Sequence, residues 1–133
     1  ADPDGDLALA RELRDELRAE TASHHDRGPR DRSRLTELAG RVRLVARFEP
    51  DGTVRLVPPA GGVPGFLGEV LAAVALAAHD GGWRRLKICP ADDCRVVYYD
   101  QSRNASRRWC SMEVCGNRNK TRAYRQRAGT PAG

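Results

Sequence analysis

Four cysteines constrain this chain more than any other feature, and all of them lie in its last third. They fall as Cys89-x4-Cys94 and Cys110-x4-Cys115, with fifteen residues between the two pairs. A pair of cysteines a few residues apart lets one tight turn supply two ligands at a tetrahedral angle, and a second element can supply the other two. That spacing suits a zinc ion held by four thiolates. The alternative is two disulfides, for which four cysteines allow three connectivities. Bridges confined to that short segment would do nothing to staple the rest of a 133-residue chain, so Cys89, Cys94, Cys110 and Cys115 are read as the ligands of one structural zinc.

The length allows one ordinary domain, or a small core with an appended metal module too short to fold on apolar burial alone. Charge divides along the same line. From Ala1 to Trp83 there are eleven Arg against fourteen acids, whereas from Arg84 to Arg127 there are twelve Lys plus Arg against four acids. The net charge of +5 therefore belongs to the cysteine module, and a basic module calls for a polyanionic partner. The preference for Arg over Lys is the bias a GC-rich genome imposes and carries no argument by itself. The most apolar run, Val70 to Ala78, has nine residues, short of the roughly twenty that a spanning helix needs, so no membrane is expected. A cytoplasmic, nucleoid-associated location is expected instead.

Taken in order, the chain predicts an α+β fold. Ala1 to Gly5 is expected to fray. Asp6 caps a helix to about Glu20, with Leu9, Leu13 and Leu17 on one face. Thr21 to Arg32 is expected to be an exposed loop whose His24 and His25 lie at the surface, since no Cys, His or carboxylate pattern pairs with them as ligands. Asp31 or Ser33 starts a short helix through Leu35 and Leu38, stopped by Gly40. Val42, Leu44 and Ala46 alternate with Arg41, Arg43 and Arg47 ahead of an Asp51-Gly52 turn, which predicts a hairpin with Arg41, Arg43, Arg47 and Arg55 outside. Phe66 to Ala78, apolar nearly all round, is expected to form the buried centre of the first module. Trp83 and Leu86 would pack the junction while Arg84, Arg85 and Lys87 point outward.

In the metal module, Pro90 stiffens the turn between the first two ligands. Val96 to Tyr99 forms a strand, and Asp100 to Arg108 is a polar loop. Asp92 and Asp93 are expected to be solvated turn residues. Ser111 caps a helix that carries Cys115 in its first turns and runs to about Arg127. The result is a treble-clef-like finger. At about 100° per residue, Arg118, Arg122 and Arg125 share a 60° arc of that helix, with Lys120 and Arg127 opposite. Zinc with four thiolates carries a formal charge of −2, and one or two of Arg95, Arg107, Arg108 and Arg118 stand to neutralise it as readily as to contact DNA. Asn117 and Asn119 either read a base edge or bond the local backbone.

Arg85-Leu86-Lys87-x-Cys89, Tyr99-Asp100-x-Ser102-Arg103-Asn104, Ser106-Arg107-Arg108-Trp109-Cys110-Ser111-Met112 and Cys115-Gly116-Asn117-Arg118-x-Lys120 resemble the CGNR zinc finger. More weakly, the leucine helix, the Leu35 to Phe48 stretch and the Leu-rich helix are similar to the ABATE domain that precedes this finger in bacterial proteins regarded as stress-induced transcription regulators. The resemblance implies an ABATE-like domain at 1–83, a finger at 84–128 and a disordered tail at 129–133. It also implies zinc on the four cysteines and nucleic acid on the finger. The nucleic-acid candidates are Arg107, Arg108, Asn117, Arg118, Lys120, Arg122 and Arg125, and a small-molecule or protein effector is expected at the first domain. The chain departs from the family in lacking the segment that usually comes before the leucine helix, so a pocket built from that segment is not expected. Four thiolates leave a zinc no open position for substrate, and no Ser-His-Asp set, paired-carboxylate pocket or phosphate-cradling glycine loop is present, so catalysis is not expected. The competing function is a finger that meets an acidic protein surface.

Overall fold

A computed structural model describes residues 2–26 and 28–129. In chain order the elements are α1 (Pro3–Ser23), α2 (Ser33–Ala39), β1 (Val45–Phe48), β2 (Val54–Val57), α3 (Gly62–Asp80), β3 (Leu86–Ile88), β4 (Val97–Tyr99) and α4 (Asn117–Ala128). A 3-10 turn at Trp83–Arg85 precedes β3, and a π turn at Met112–Gly116 precedes α4. The fold is α+β, with N-terminal helices and a hairpin followed by a four-cysteine cluster with its own hairpin and helix. It separates into two compact units. Of the described residues, 2–20 and 28–83 form one, and 21–26 and 84–129 form the other. Residues 130–133, most of the expected tail, lie outside the described residues.

The first unit is held by a leucine cluster. Leu9 and Leu13 of α1, Leu38 of α2 and Leu67 of α3 are buried together, with Leu17, Leu35, Val42 and Leu71 packed around them. The i, i+4 stripe of α1 thus faces inward as its period dictates. The helix is longer than its leucine pattern suggests at both ends. Asp2 caps it, its carboxylate accepting the Gly5 N–H at 3.2 Å, and Pro3 occupies the first helical position, where its missing N–H costs nothing. The expected fraying of residues 2–5 and the expected start at Asp6 are corrected accordingly. At the other end, helix continues through Ser23, so the exposed loop expected from Thr21 begins three residues later. Glu20 is buried and accepts from Arg30 Nη1 at 2.7 Å and Arg32 Nε at 2.8 Å. Burial pushes its carboxyl up, but the two guanidinium bonds outweigh that and hold it below the ordinary range.

The first hairpin forms around Asp51-Gly52 as its turn residues dictate, with Gly52 at φ +85° where an L side chain would be strained. Its register pairs Phe48 with Val54 and Arg47 with Arg55. Arg47 and Arg55 therefore share a face with Val45 and the buried Val57, while Ala46, Phe48, Val54 and Leu56 form the other face and are exposed. Strand pairing begins at Val45, so Arg41 and Arg43 lie before the sheet and do not line it.

Two expectations for the third helix are overturned. α3 is not the buried centre of its unit: Leu67 and the glycines at 65 and 68 are buried, whereas Phe66 and Leu76 are 66% and 69% exposed. A uniformly apolar helix carries no information about which side is covered. Its full length is 19 residues at a mean hydropathy of 1.5, which by length and composition is enough to cross a membrane. Counting only the uninterrupted run from Val70 missed this, because Glu69 splits the helix without making it polar.

Leu38 is fully buried in the first unit. Leu38→Ala is expected to destabilise that unit by about 2–5 kcal/mol, read as an earlier helical unfolding transition by circular dichroism. Metal stoichiometry at the cysteines should stay unchanged.

Candidate metal centre

β3 and β4 pair antiparallel, Leu86 with Tyr99 and Ile88 with Val97, and the turn joining them is the first half of the site. Cys89 N–H bonds Val96 O at 2.8 Å, and Ala91 O accepts from both Cys94 N and Arg95 N. Arg95 takes a left-handed φ of 57° to close the knuckle. The N–H groups of Ala91 and Cys110 point at the Cys89 sulfur.

The second half is delivered by the loop after β4, and Asp100 organises that loop. Asp100 is fully buried. It accepts Ser102 N–H at 2.9 Å and Ser102 Oγ at 2.5 Å on one oxygen. On the other it accepts Lys87 Nζ at 2.7 Å and Arg107 N–H at 2.9 Å. Lys87, 3% exposed, spends its remaining donors on Ala105 O and Arg107 O at 2.7 and 2.9 Å. A buried ammonium is tolerated only when paired and fully bonded, and here all three of its N–H groups have an acceptor. Arg85 Nη1 adds bonds to Asp100 O and Ser102 O at 3.0 and 2.6 Å. The expectation that Arg85 and Lys87 point outward is therefore wrong: both face the loop and hold it. Burial raises the Asp100 carboxyl, but the bonds from Lys87, Ser102 and Arg107 outweigh that and hold it well below the usual carboxylate range.

Ser111 then caps the π turn, its Oγ accepting Val114 N–H at 3.3 Å, and Cys115 sits in that turn, buried. Gly116 packs closely: a Cβ there would stand 2.6 Å from Met112 Sδ and 3.2 Å from Trp109 Cδ1, so a larger residue requires the Met112 side chain to move. With both halves in place, the sulfurs of Cys89, Cys94, Cys110 and Cys115 lie within 4.8 Å of one another. Cys94 and Cys110 are 3.7 Å apart, and Cys110 and Cys115 are 3.6 Å apart. Tetrahedral zinc with Zn–S of about 2.3 Å separates its sulfurs by about 3.8 Å, so the donor set fits one zinc ion. The expected disulfide alternative is not formed, all four cysteines being free. Without metal, burial and the neighbouring thiols push Cys110 up to about 12, and burial likewise raises Cys115. Cys89 is lowered, because the N–H groups of Cys110 and Ala91 outweigh its burial. A divalent cation displaces these protons.

The candidate nucleic-acid residues divide into three groups. Arg107 is consumed inside the finger: its guanidinium lies 5.1 Å from the Tyr98 ring centre and bonds Trp109 O at 2.9 Å and Cys110 O. Arg118 donates to Cys115 Sγ at 3.3 Å and pairs with Asp93 at 2.9 Å, and Arg122 reaches the same Asp93 oxygen at 3.6 Å. Arg108, stacked on Trp109 at 5.5 Å, is exposed, as are Asn117, Lys120 and Arg125. Asn119 bonds Cys115 O at 2.8 Å and is spent on the backbone.

Asp93, Lys87, Asp100 and Tyr98 had no role assigned from sequence. Tyr98 OH donates to Arg107 O and Arg108 O at 3.1 and 2.7 Å. The histidines were also misjudged as surface residues. His24 Nδ1 lies 2.7 Å from Leu86 O and His25 Nε2 lies 2.6 Å from Ile88 O, and a carbonyl accepts only from a protonated ring nitrogen. The end of α1 is thereby strapped to β3. Two adjacent histidines after a helix were the visible signal, and their acceptors, backbone carbonyls sixty residues away, were not.

Residues 85–128 match the family model of the CGNR zinc finger, so the C-terminal third of the chain is a CGNR zinc finger domain. The ABATE domain is not detected. No curated protein matches the chain.

Lys87→Met strands the Asp100 carboxylate in a buried site, which is expected to cost the finger about 3–5 kcal/mol and to weaken zinc retention against a chelator. Because the Asp100 pKa is depressed on folding, its contribution is present above its unfolded value of 3.8 and is lost as pH falls below it. Zinc retention equal to wild type in Lys87→Met would contradict the role given to this pair.

Proposed function

We propose that the finger binds duplex DNA through α4 and Arg108, and that the chain is a bacterial transcription regulator acting at the nucleoid. The observation that carries this reading is the state of α4. It buries no residue of its own, and its sequence, NRNKTRAYRQRA, has five cations and no acid. A 12-residue helix is marginal in water by itself, and this one's main contact is the π turn before it. A helix with nothing to bury and a single sign of charge gains its stabilisation from a polyanion. The CGNR match supports nucleic acid as that polyanion.

Zinc has a structural role in this reading and no catalysis is assigned to it, since four sulfurs fill a tetrahedral metal and leave no position for substrate. An effector would belong to the first unit, where a cavity of about 380 Å³ is lined by Leu9, Val42, Pro58 and Pro64 together with the charged Asp6, Arg41 and Arg43, a mixed apolar and polar lining suited to a small organic molecule. A second reading, an acidic protein partner, is favoured by the exposure of Tyr124 on the basic helix and of Met112 and Val114 in the π turn before it.

Salt separates the two. Contacts from Arg108, Lys120, Arg122, Arg125 and Arg127 predict a log-log slope of affinity on salt of about −4 to −5 for duplex DNA. Reversing Arg122 and Arg125 to Glu should weaken specific and random duplexes alike, by at least about tenfold, because phosphate contacts position without reading sequence. Zinc content is checked for each protein. No salt-sensitive duplex binding by the zinc-loaded chain at micromolar concentration would transfer the proposal to the acidic protein partner.

A further inference from the structure

Arg118 and Arg122 lie one turn apart on α4, and a single oxygen, Asp93 Oδ2, sits between them at 2.9 and 3.6 Å. Asp93 belongs to the zinc knuckle between Cys89 and Cys94, so the contact ties the tip of one half of the metal site to the basic helix. An anionic oxygen shared by two guanidiniums is the arrangement a backbone phosphate adopts on such a helix. We propose that Asp93 is a built-in competitor for phosphate: it holds Arg118 and Arg122 in the free protein and is displaced from them when a polyanion binds. This rests on the reading of α4 as a nucleic-acid surface and assigns that surface its regulation.

Three observations make the contact exchangeable rather than structural. All three side chains are 37% to 53% exposed, and exposed ion pairs are weak. The hub of the finger is elsewhere, in the buried Lys87–Asp100 pair, so releasing Asp93 leaves the loop and its cysteines held. Arg118 is also incompletely satisfied where it is. Its Nε is the one buried side-chain nitrogen or oxygen with no hydrogen-bond partner among the described residues. A guanidinium that moves off Asp93 toward a phosphate gives that N–H an acceptor, whereas a guanidinium held on Asp93 leaves it orphaned.

The consequence is a lowered affinity with a known origin. Part of what α4 gains from phosphate is offset by what it gives up at Asp93, and the single carboxylate charge that must be displaced takes about one contact out of the salt dependence.

The test compares the zinc-loaded full chain with Asp93→Asn, and with Asp92→Asn as a control that removes the same charge one residue earlier. On random-sequence duplex near 0.1 M salt, Asp93→Asn is expected to bind about three- to tenfold more tightly. Its salt slope should be steeper by about one contact, and Asp92→Asn should give a distinctly smaller gain. Unchanged or weaker binding by Asp93→Asn at equal zinc content would overturn the proposal and make Asp93 a positioning residue for the arginines. An equal gain in both variants would overturn it as well, reducing the effect to net charge. A second arm titrates inorganic phosphate and follows the Nε–Hε resonances of Arg118 and Arg122 by NMR. These should move at lower phosphate in Asp93→Asn than in wild type, and identical titrations would contradict the competition. If no protein binds duplex while the phosphate titrations differ, the DNA reading fails and the competitor role of Asp93 stands.

Discussion

Four sulfur atoms within 4.8 Å of one another cannot all be thiolates unless a cation lies between them, and this constraint governs the C-terminal third of the molecule. Two of the sulfurs come from a knuckle closed by backbone bonds to Ala91 and Val96. The other two arrive from a loop and a π turn with little apolar surface between them. Among the described residues, the buried apolar side chains of the finger are Ile88, Cys89, Ala91 and Cys115, with Tyr98 and Trp109 half-buried against the cysteines, too little to order the segment without metal. The Lys87–Asp100 pair answers the problem of delivery. It fixes the path of the chain from Tyr99 to Arg107, and so brings Cys110 to the position where its N–H bonds the Cys89 sulfur and its own sulfur completes the cluster.

The same economy decides which cations face outward. A buried carboxylate consumes Lys87, backbone carbonyls consume Arg85 and Arg107, and the Cys115 sulfur takes a bond from Arg118. What remains for a partner is a smaller set than the charge count of the module suggests: Lys120, Arg122, Arg125 and Arg127 on α4, and Arg84, Arg95, Arg103 and Arg108 on the rest of the finger, all exposed. The basic surface is thus a remainder after the metal site and its loop have been neutralised.

Much of this was legible from residue spacing. Two Cys-x4-Cys pairs, an apolar strand after the knuckle, and a Ser cap ahead of the last ligand are local patterns, and the zinc site, β4 and the Ser111 cap follow from them, although Ser111 caps a π turn that holds Cys115 and the terminal α-helix starts only at Asn117. What was not legible depends on contacts distant in sequence. Lys87 sits in a three-residue strand flanked by arginines, so its pattern is that of a solvated edge, and only the folded loop shows Asp100 thirteen residues later as its partner. His24 and His25 bond carbonyls, which have no sequence signature. The extent of α1 was underestimated because its leucines mark only the buried stripe, whereas Asp2 and Pro3 set its start. α3 misled in the opposite direction: a helix apolar on every side fits a core and an exposed surface equally well, and its exposed Phe66 and Leu76 distinguish the two only in three dimensions.

Four cysteine sulfurs, and nothing else, hold one metal ion at the junction of the knuckle and the π turn. X-ray absorption at the zinc edge of the purified full chain tests it directly. The account predicts one zinc per chain with a single shell of four sulfurs at about 2.3 Å. A shell containing nitrogen at about 2.0–2.1 Å, as His24 or His25 would supply, would contradict it, and so would fewer than four sulfurs per zinc.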